Sequence, residues 1–294
     1  MADLFENPLG TDGFEFVEYT SPNPHALGKL FEAFGFTAVS KHRSKNVVRY
    51  KQGDINFILN MEPSGQPAAF RGQHGQGANA MAFRVKDAAK AYAEALKRGA
   101  EPAFGNVGPM ELNIPAIQAI GGAYIYLVDR YGAHGIYDID FMPIEGAEEK
   151  ANTVGLTYLD HLTHNLFRGN MDKWASYYEK IFNFREIRYF DIEGKQTGLV
   201  SKAMTSPCGK IRIPINEEGN EKAGQIQEYL DKYHGEGIQH IALGTDDIYA
   251  SVEALRARGI PFQSAPDTYF EGIGQRLGAH GEDVERLHRN QILI

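Results

Sequence analysis

The hydrophobic and polar positions of this chain follow one pattern that occurs twice. Gly13-Phe14-Glu15-Phe16-Val17-Glu18-Tyr19 alternates apolar with acidic residues, the period of a half-buried strand. Ser21-Pro22-Asn23-Pro24 stops it, with Asn23 placed to cap a helix that opens on Pro24. Leu27, Leu30, Phe31 and Phe34 follow at helical spacing, and Gly35 suits the position just past the end. Strands are expected over residues 46–50, 55–59 and 78–85, then a helix from an Asp87 cap to Arg98, closed by Gly99. Two more strands are expected over 123–128 and 136–141. Residues 143–155 are acidic and weakly patterned and read as a linker. The order then returns: a strand over 158–167, a helix over 171–182, strands over 186–190, 197–202 and 210–215, a helix over 224–233, a strand over 237–244, and a helix capped by Asp247 and ended by Gly259.

The repeat is visible in the letters. Residues 77–100 align without gaps on 237–260, with Gly77/Gly237, Ala82/Ala242, Asp87/Asp247, Arg98/Arg258 and Gly99/Gly259 coinciding. Self-similarity of this length points to a duplicated module, and two copies to a paired-domain protein. The expected fold class is α+β, with duplicated βαβββ modules forming two open-barrel-like domains. Residues 1–150 are expected to form an N-terminal structural domain without metal. Residues 151–294 are expected to form the catalytic domain, incomplete at its C-terminal end. The second copy stops at Gln291-Ile292-Leu293-Ile294, just as an apolar strand is expected to begin. An unclosed sheet leaves exposed edges, so a longer parent chain is expected.

Composition narrows the class. Charged and apolar fractions of 23% and 43% are those of a globular protein. No run of about eighteen apolar residues exists, so no membrane span is expected. The first residues lack the layout of a signal peptide. The lone Cys208 rules out an intramolecular disulfide and a cysteine metal cluster, and a reducing cytoplasm fits it. A net charge of −8 argues against general nucleic-acid binding.

The candidate chemistry lies in the histidines. Of the ten, His25, His42, His74, His134, His280 and His288 sit in polar or glycine-rich surroundings and read as surface residues. His234 ends a helix, where a cation suits the dipole. His161 and His240 are different. Each sits within an apolar strand, and each lacks a counterpart in the first copy, where Phe16 and Ala80 stand. His164, three residues from His161, should face the other side of the strand. Two imidazoles on rigid strands suit iron, zinc, manganese, nickel or copper, and two histidines with one carboxylate is a ferrous-oxygenase arrangement. Asp160 and Glu236 are the nearest acids, but alternation turns Asp160 away from His161.

Longer motifs add a resemblance. They include Asn7-Pro8, His42-Arg43-Ser44-Lys45-Asn46-Val47, Leu159-Asp160-His161-Leu162-Thr163-His164-Asn165 and Phe182-Asn183-Phe184-Arg185-Glu186. Tyr189-Phe190-Asp191-Ile192, Ile211-Arg212-Ile213-Pro214-Ile215-Asn216-Glu217-Glu218 and Gly235-Glu236-Gly237-Ile238-Gln239-His240 complete them. With these the chain resembles the vicinal oxygen chelate (glyoxalase-like) superfamily, and within it the 4-hydroxyphenylpyruvate dioxygenase family. The resemblance implies that His161 and His240 hold Fe(2+). It implies that Ser201, Pro214, Asn216, Gln225 and Gln239 surround the substrate. Alternation turns Gln239 away from His240 unless a bulge intervenes. The implied reaction takes 4-hydroxyphenylpyruvate and O2 to homogentisate and CO2, in tyrosine catabolism. The implied partners are a small-molecule 2-oxo acid, O2 and further copies of the chain as a homo-oligomer. The family's third iron ligand, a glutamate on a later strand, has no match and is expected beyond residue 294. The alternatives are a 4-hydroxymandelate synthase, a ring-cleaving extradiol dioxygenase, and a catalytically inactive binding or structural form of the same fold.

Overall fold

A computed structural model describes residues 3–105, 107–148, 153–193, 198–219 and 224–294, with residues 188–193 as backbone only. The first module runs β1 (Thr11–Thr20), α1 (Pro24–Ala33), β2 (Thr37–His42), β3 (Val47–Gln52), β4 (Ile55–Asn60), α2 (Gly65–His74), β5 (Gly77–Val85) and α3 (Ala88–Lys97). It continues with β6 (Pro102–Ala103), β7 (Ala116–Gln118), β8 (Tyr124–Val128), α4 (Tyr137–Asp140) and β9 (Phe141–Pro143). The second runs β10 (Leu156–Asn165), α5 (Met171–Phe182), β11 (Arg185–Glu193), β12 (Gly198–Thr205), β13 (Arg212–Glu218), α6 (Gln225–Tyr233), β14 (Gly237–Thr245) and α7 (Ile248–Ala257). Three short helices follow, α8 (Asp267–Glu271), α9 (Ile273–Leu277) and α10 (Val284–Asn290).

The capping signals read from sequence act as expected. Asn23 accepts from the Ala26 amide at 3.2 Å, Asp87 from Lys90 at 2.9 Å and Asp247 from Ala250 at 2.9 Å. Each satisfies an amide that the first helical turn leaves open.

Three expectations fail, and two elements, β2 and α2, were not anticipated. Residues 137–140 form a helical turn, and the strand begins only at Phe141. Asp138 Oδ2 accepts from the Gly135 amide at 3.1 Å, a local bond that favours a turn over the extended chain. Strand β2 and helix α2 have no clear period in sequence. The 291–294 tail follows α10 and is not in a strand. His74 is buried rather than on the surface, its Nδ1 2.7 Å from the Tyr233 carbonyl and its Nε2 2.9 Å from that of Gly121. The expected strand start at 197 and the expected boundary at 150/151 lie outside the described residues.

Among the described residues the first sheet has nine strands, ordered β6-β7-β8-β5-β1-β4-β3-β2-β9, and the second five, ordered β11-β12-β13-β10-β14. One face of each sheet contributes to a single continuous core. Val17, Phe57 and Phe83 pack there with Leu162, Tyr178, Phe182 and Ile213. Phe83 sits edge-on to Phe182 with ring centres 5.3 Å apart, joining the two modules. The other face of each sheet is left for a cavity or a site.

The duplication extends to irregularities. Phe16 pairs with Ala82 and Glu18 with Ala80, as His161 pairs with Ala242 and Thr163 with His240. Register shifts fall between Phe14 and Phe16 and again between Leu159 and His161. They recur between Glu18 and Tyr19 and between Thr163 and His164. In the first module β8 covers the outer edge of β5, pairing Tyr124 with Ala80. The outer edge of β14 has no strand partner among the described residues, and residues 239–245 are half-buried or exposed.

Candidate active site

The two bulges re-aim the side chains that matter. On β10, Leu159 pairs with Leu243 and His161 with Ala242, so Asp160 is the extra residue. On β14, Thr163 pairs with His240 and His164 with Ile238, so Gln239 is the extra residue. A bulge places two successive side chains on nearly the same side of the sheet. Asp160 therefore does not turn away from His161, contrary to strict alternation. Its Oδ2 lies 2.7 Å from His161 Nδ1. The bulge that Gln239 needed is present, and Gln239 Oε1 meets His240 Nδ1.

His161 and His240 come together across the β10–β14 pair, with ring centres 5.6 Å apart and planes at 74°. A ligating imidazole nitrogen sits about 2.1 Å from a metal ion, which puts its ring centre roughly 3 Å away. Two rings at the observed separation can therefore share one ion. An ionised carboxylate only accepts, so His161 donates from Nδ1 to Asp160 and keeps its Nε2 lone pair. Asp160 is held in turn by Arg212, whose Nη1 reaches Oδ1 at 2.5 Å. His240 donates from Nδ1 to Gln239, and its Nε2 accepts from the Thr163 hydroxyl at 3.0 Å. Burial and the neighbouring His161 both push the pKa of His240 down, which favours the neutral ligand form.

His164 faces the core as alternation requires. It is fully buried, its Nε2 lies 2.7 Å from the Tyr178 hydroxyl, and burial lowers its pKa to about 3. It takes no part in the site.

The expected substrate-side residues divide. Asn216 pairs with Asn165 on one side and Ser201 on the other, so these three sit in one row across β10, β13 and β12. By alternation that row lies on the face of His161, opposite α5. Pro214 is two residues along β13 and pairs with Ala203. Gln225 opens α6 and is exposed, and among the described residues no hydrogen bond joins its side chain to the others. Sequence reasoning missed Thr163, Arg212 and Asn165. Asn165 is buried and its Oδ1 has no partner, an acceptor open on this face. Its signal was position alone, two residues beyond Thr163 on the same side of the strand. Among the described residues no group of three His, Cys, Asp or Glu side chains converges. Each of the two imidazoles has its Nδ1 held by an acceptor, an arrangement common around metal-binding histidines.

Comparison with known proteins identifies the family. Residues 5–142 match the family model described as hydroxyphenylpyruvate dioxygenase, N-terminal. Residues 158–278 match the glyoxalase/bleomycin resistance protein/dioxygenase superfamily. A 4-hydroxyphenylpyruvate dioxygenase of Pseudomonas aeruginosa is 56% identical over 291 residues, covering 98% of this chain and 81% of that protein. The chain belongs to the 4-hydroxyphenylpyruvate dioxygenase family. Hemolysin VllY of Vibrio vulnificus is also 56% identical, over 98% of this chain and 82% of that one. Among solved structures, a xylose isomerase-like TIM barrel/4-hydroxyphenylpyruvate dioxygenase fusion protein superposes with a TM-score of 0.80 at 33% identity. That match covers 98% of this chain and 46% of the fusion. A mutant 4-hydroxymandelate synthase from Streptomyces coelicolor also reaches 0.80, over 97% of this chain and 84% of that one, at 20% identity. That likeness speaks for the fold alone. The fold is thus the family's glyoxalase-like α+β architecture, and no helix among the described residues is long and apolar enough to cross a membrane.

Proposed function

We propose that this protein is an iron(II)-dependent dioxygenase that converts 4-hydroxyphenylpyruvate and O2 to homogentisate and CO2, acting in tyrosine catabolism in the cytoplasm. The observation that carries the reading is the meeting of His161 and His240 on adjacent bulged strands, in a chain of this family. Fe(2+) held by these two residues would supply open positions for the 2-oxo acid group and for O2. The chain's own residues set up that binding. Asp160, fixed by Arg212, holds His161 with its Nε2 lone pair free. Gln239 does the same for His240 from the Nδ1 side. The Thr163 hydroxyl lies on His240 Nε2 and would have to release that nitrogen for an ion to bind there. Asn216 and Ser201, neighbours in register, offer an amide and a hydroxyl to the substrate, and Pro214 shapes the wall beside them. Gln225 reaches this group only if α6 approaches the bound substrate.

Product analysis tests the reading. The full-length protein supplied with Fe(II), 4-hydroxyphenylpyruvate and O2 should release CO2 and homogentisate in equal amounts. Formation of 4-hydroxymandelate instead would move the protein to the synthase reading. Absence of any product, with iron bound, would leave the inactive form of the fold as the better account.

A further inference from the structure

The first module has its own cavity. It measures about 580 Å³ and lies on the face of the nine-stranded sheet opposite the shared core. That size is within the range of small-molecule sites. By strand register it occupies the place that the histidine site takes in the second module. Phe16 stands for His161, Glu18 for Thr163 and Ala80 for His240. The metal-binding pair is absent, but the space is not filled.

Its walls are apolar and aromatic, with Phe16, Val47, Ile58, Ile114 and Tyr126 among them. At one end sits Glu18, only 7% exposed. Asn79 Nδ2 donates to Glu18 Oε1 at 2.6 Å and Asn60 Nδ2 to the same oxygen at 3.0 Å. Glu18 Oε2 has no hydrogen-bond partner among the described residues. Glu18 lines the cavity, so this oxygen is the one a bound ligand can meet. Burial raises the Glu18 pKa, while Asn79, Asn60 and the more distant Lys45 charge oppose that rise.

The other charged groups of the cavity are already paired, and the Tyr137 hydroxyl, which has no hydrogen-bond partner among the described residues, is neutral. Lys45 Nζ lies 2.8 Å from Glu111, and Asp140 pairs with Arg43 at 3.3 Å. His42 Nδ1 faces the Ser44 and Lys45 amides at 3.3 and 3.2 Å, so it accepts and the ring is neutral. The carboxylate therefore sets the preference of the cavity. A ligand that donates, and above all a cationic donor, complements Glu18, whereas a ligand carboxylate beside it is repelled.

We propose that the first module binds a small aromatic amine, its ring against Phe16 and Tyr126 and its ammonium on Glu18 Oε2. This site is separate from the histidine pair and needs no metal.

Tyramine is a suitable probe, titrated by calorimetry into the full-length protein treated with chelator. The expected result is saturable binding of one molecule per chain, retained in a His161→Ala/His240→Ala variant. Glu18→Gln should weaken it at least tenfold, and 4-hydroxyphenylacetate should compete poorly. Ile114→Trp, which fills the cavity from a loop rather than from the sheet, should also abolish binding while the circular dichroism melt stays cooperative. Three results would overturn the proposal: no saturable tyramine binding by folded protein, binding unchanged in Ile114→Trp or in folded Glu18→Gln, or binding lost with the two histidines.

Discussion

Acidification should test how firmly the core face of β10 is held. His164 is fully buried and its Nε2 lies 2.7 Å from the Tyr178 hydroxyl. Burial pushes its pKa down to about 3 from the ordinary 6.5, and the Thr163 backbone offsets only part of that. The unfolded chain takes up this proton near pH 6.5, the native state only near 3. As pH falls below 6.5 the unfolded state binds more protons, so stability declines, and it continues to decline to about pH 3. Each unit in that window is worth about 1.4 kcal/mol. At pH 5 the loss is therefore roughly 2 kcal/mol relative to pH 7. Urea unfolding at both pH values, with chelator present, measures it against His164→Gln, which keeps an acceptor for Tyr178 but cannot titrate. The wild type should lose roughly 2 kcal/mol more than the variant between the two conditions. Equal losses would mean that His164 is protonated in place, and the packing argument for this face would fail.

Other perturbations address the site and its support. Asp160→Ala should weaken metal affinity about 10- to 100-fold by freeing the His161 ring, measured by competition with a chromogenic chelator. An unaltered affinity would remove Asp160 from its positioning role. Phe83→Ala should cost about 3–5 kcal/mol in urea unfolding, since Phe83 is fully buried against Phe182 and Phe184. A loss under about 1 kcal/mol would contradict a core shared between modules. Gly121→Ala would place a methyl group on the Glu236 carbonyl oxygen from a backbone at φ +60°. It should cost more than about 1 kcal/mol and speed amide exchange at the start of β14. Unchanged exchange there would show that the first module does not brace the strand of His240.

Much of the fold was readable because period and cap agreed along the chain. The Asn23, Asp87 and Asp247 caps all act on their helices. The aligned segments 77–100 and 237–260 occupy matching places in the two sheets. Strand β2 and helix α2 were less legible, since their residues follow neither period cleanly and tertiary packing decides them. The site was legible in its histidines but not in their support. Alternation is a rule for regular strands, and both site strands carry an extra residue. That is why alternation alone turns Asp160 away from His161 and why Gln239 needs a bulge. The same irregularities recur in the first module, beside Glu15 and Asn79. Sequence letters alone do not show a bulge when no glycine or proline marks it. His74 departs from the surface expectation for a different reason. Its polar neighbours suggested solvent, while its actual partners, the Tyr233 and Gly121 carbonyls, come from distant parts of the chain.

The central claim is that His161 and His240 hold one iron ion. Anaerobic titration of the metal-free, full-length protein with Fe(II), followed by calorimetry and by metal analysis after gel filtration, tests it most directly. The account predicts one tightly held ion per chain, with affinity falling at least tenfold in each of His161→Ala and His240→Ala while both variants stay folded. An unchanged stoichiometry and affinity in either variant would contradict it.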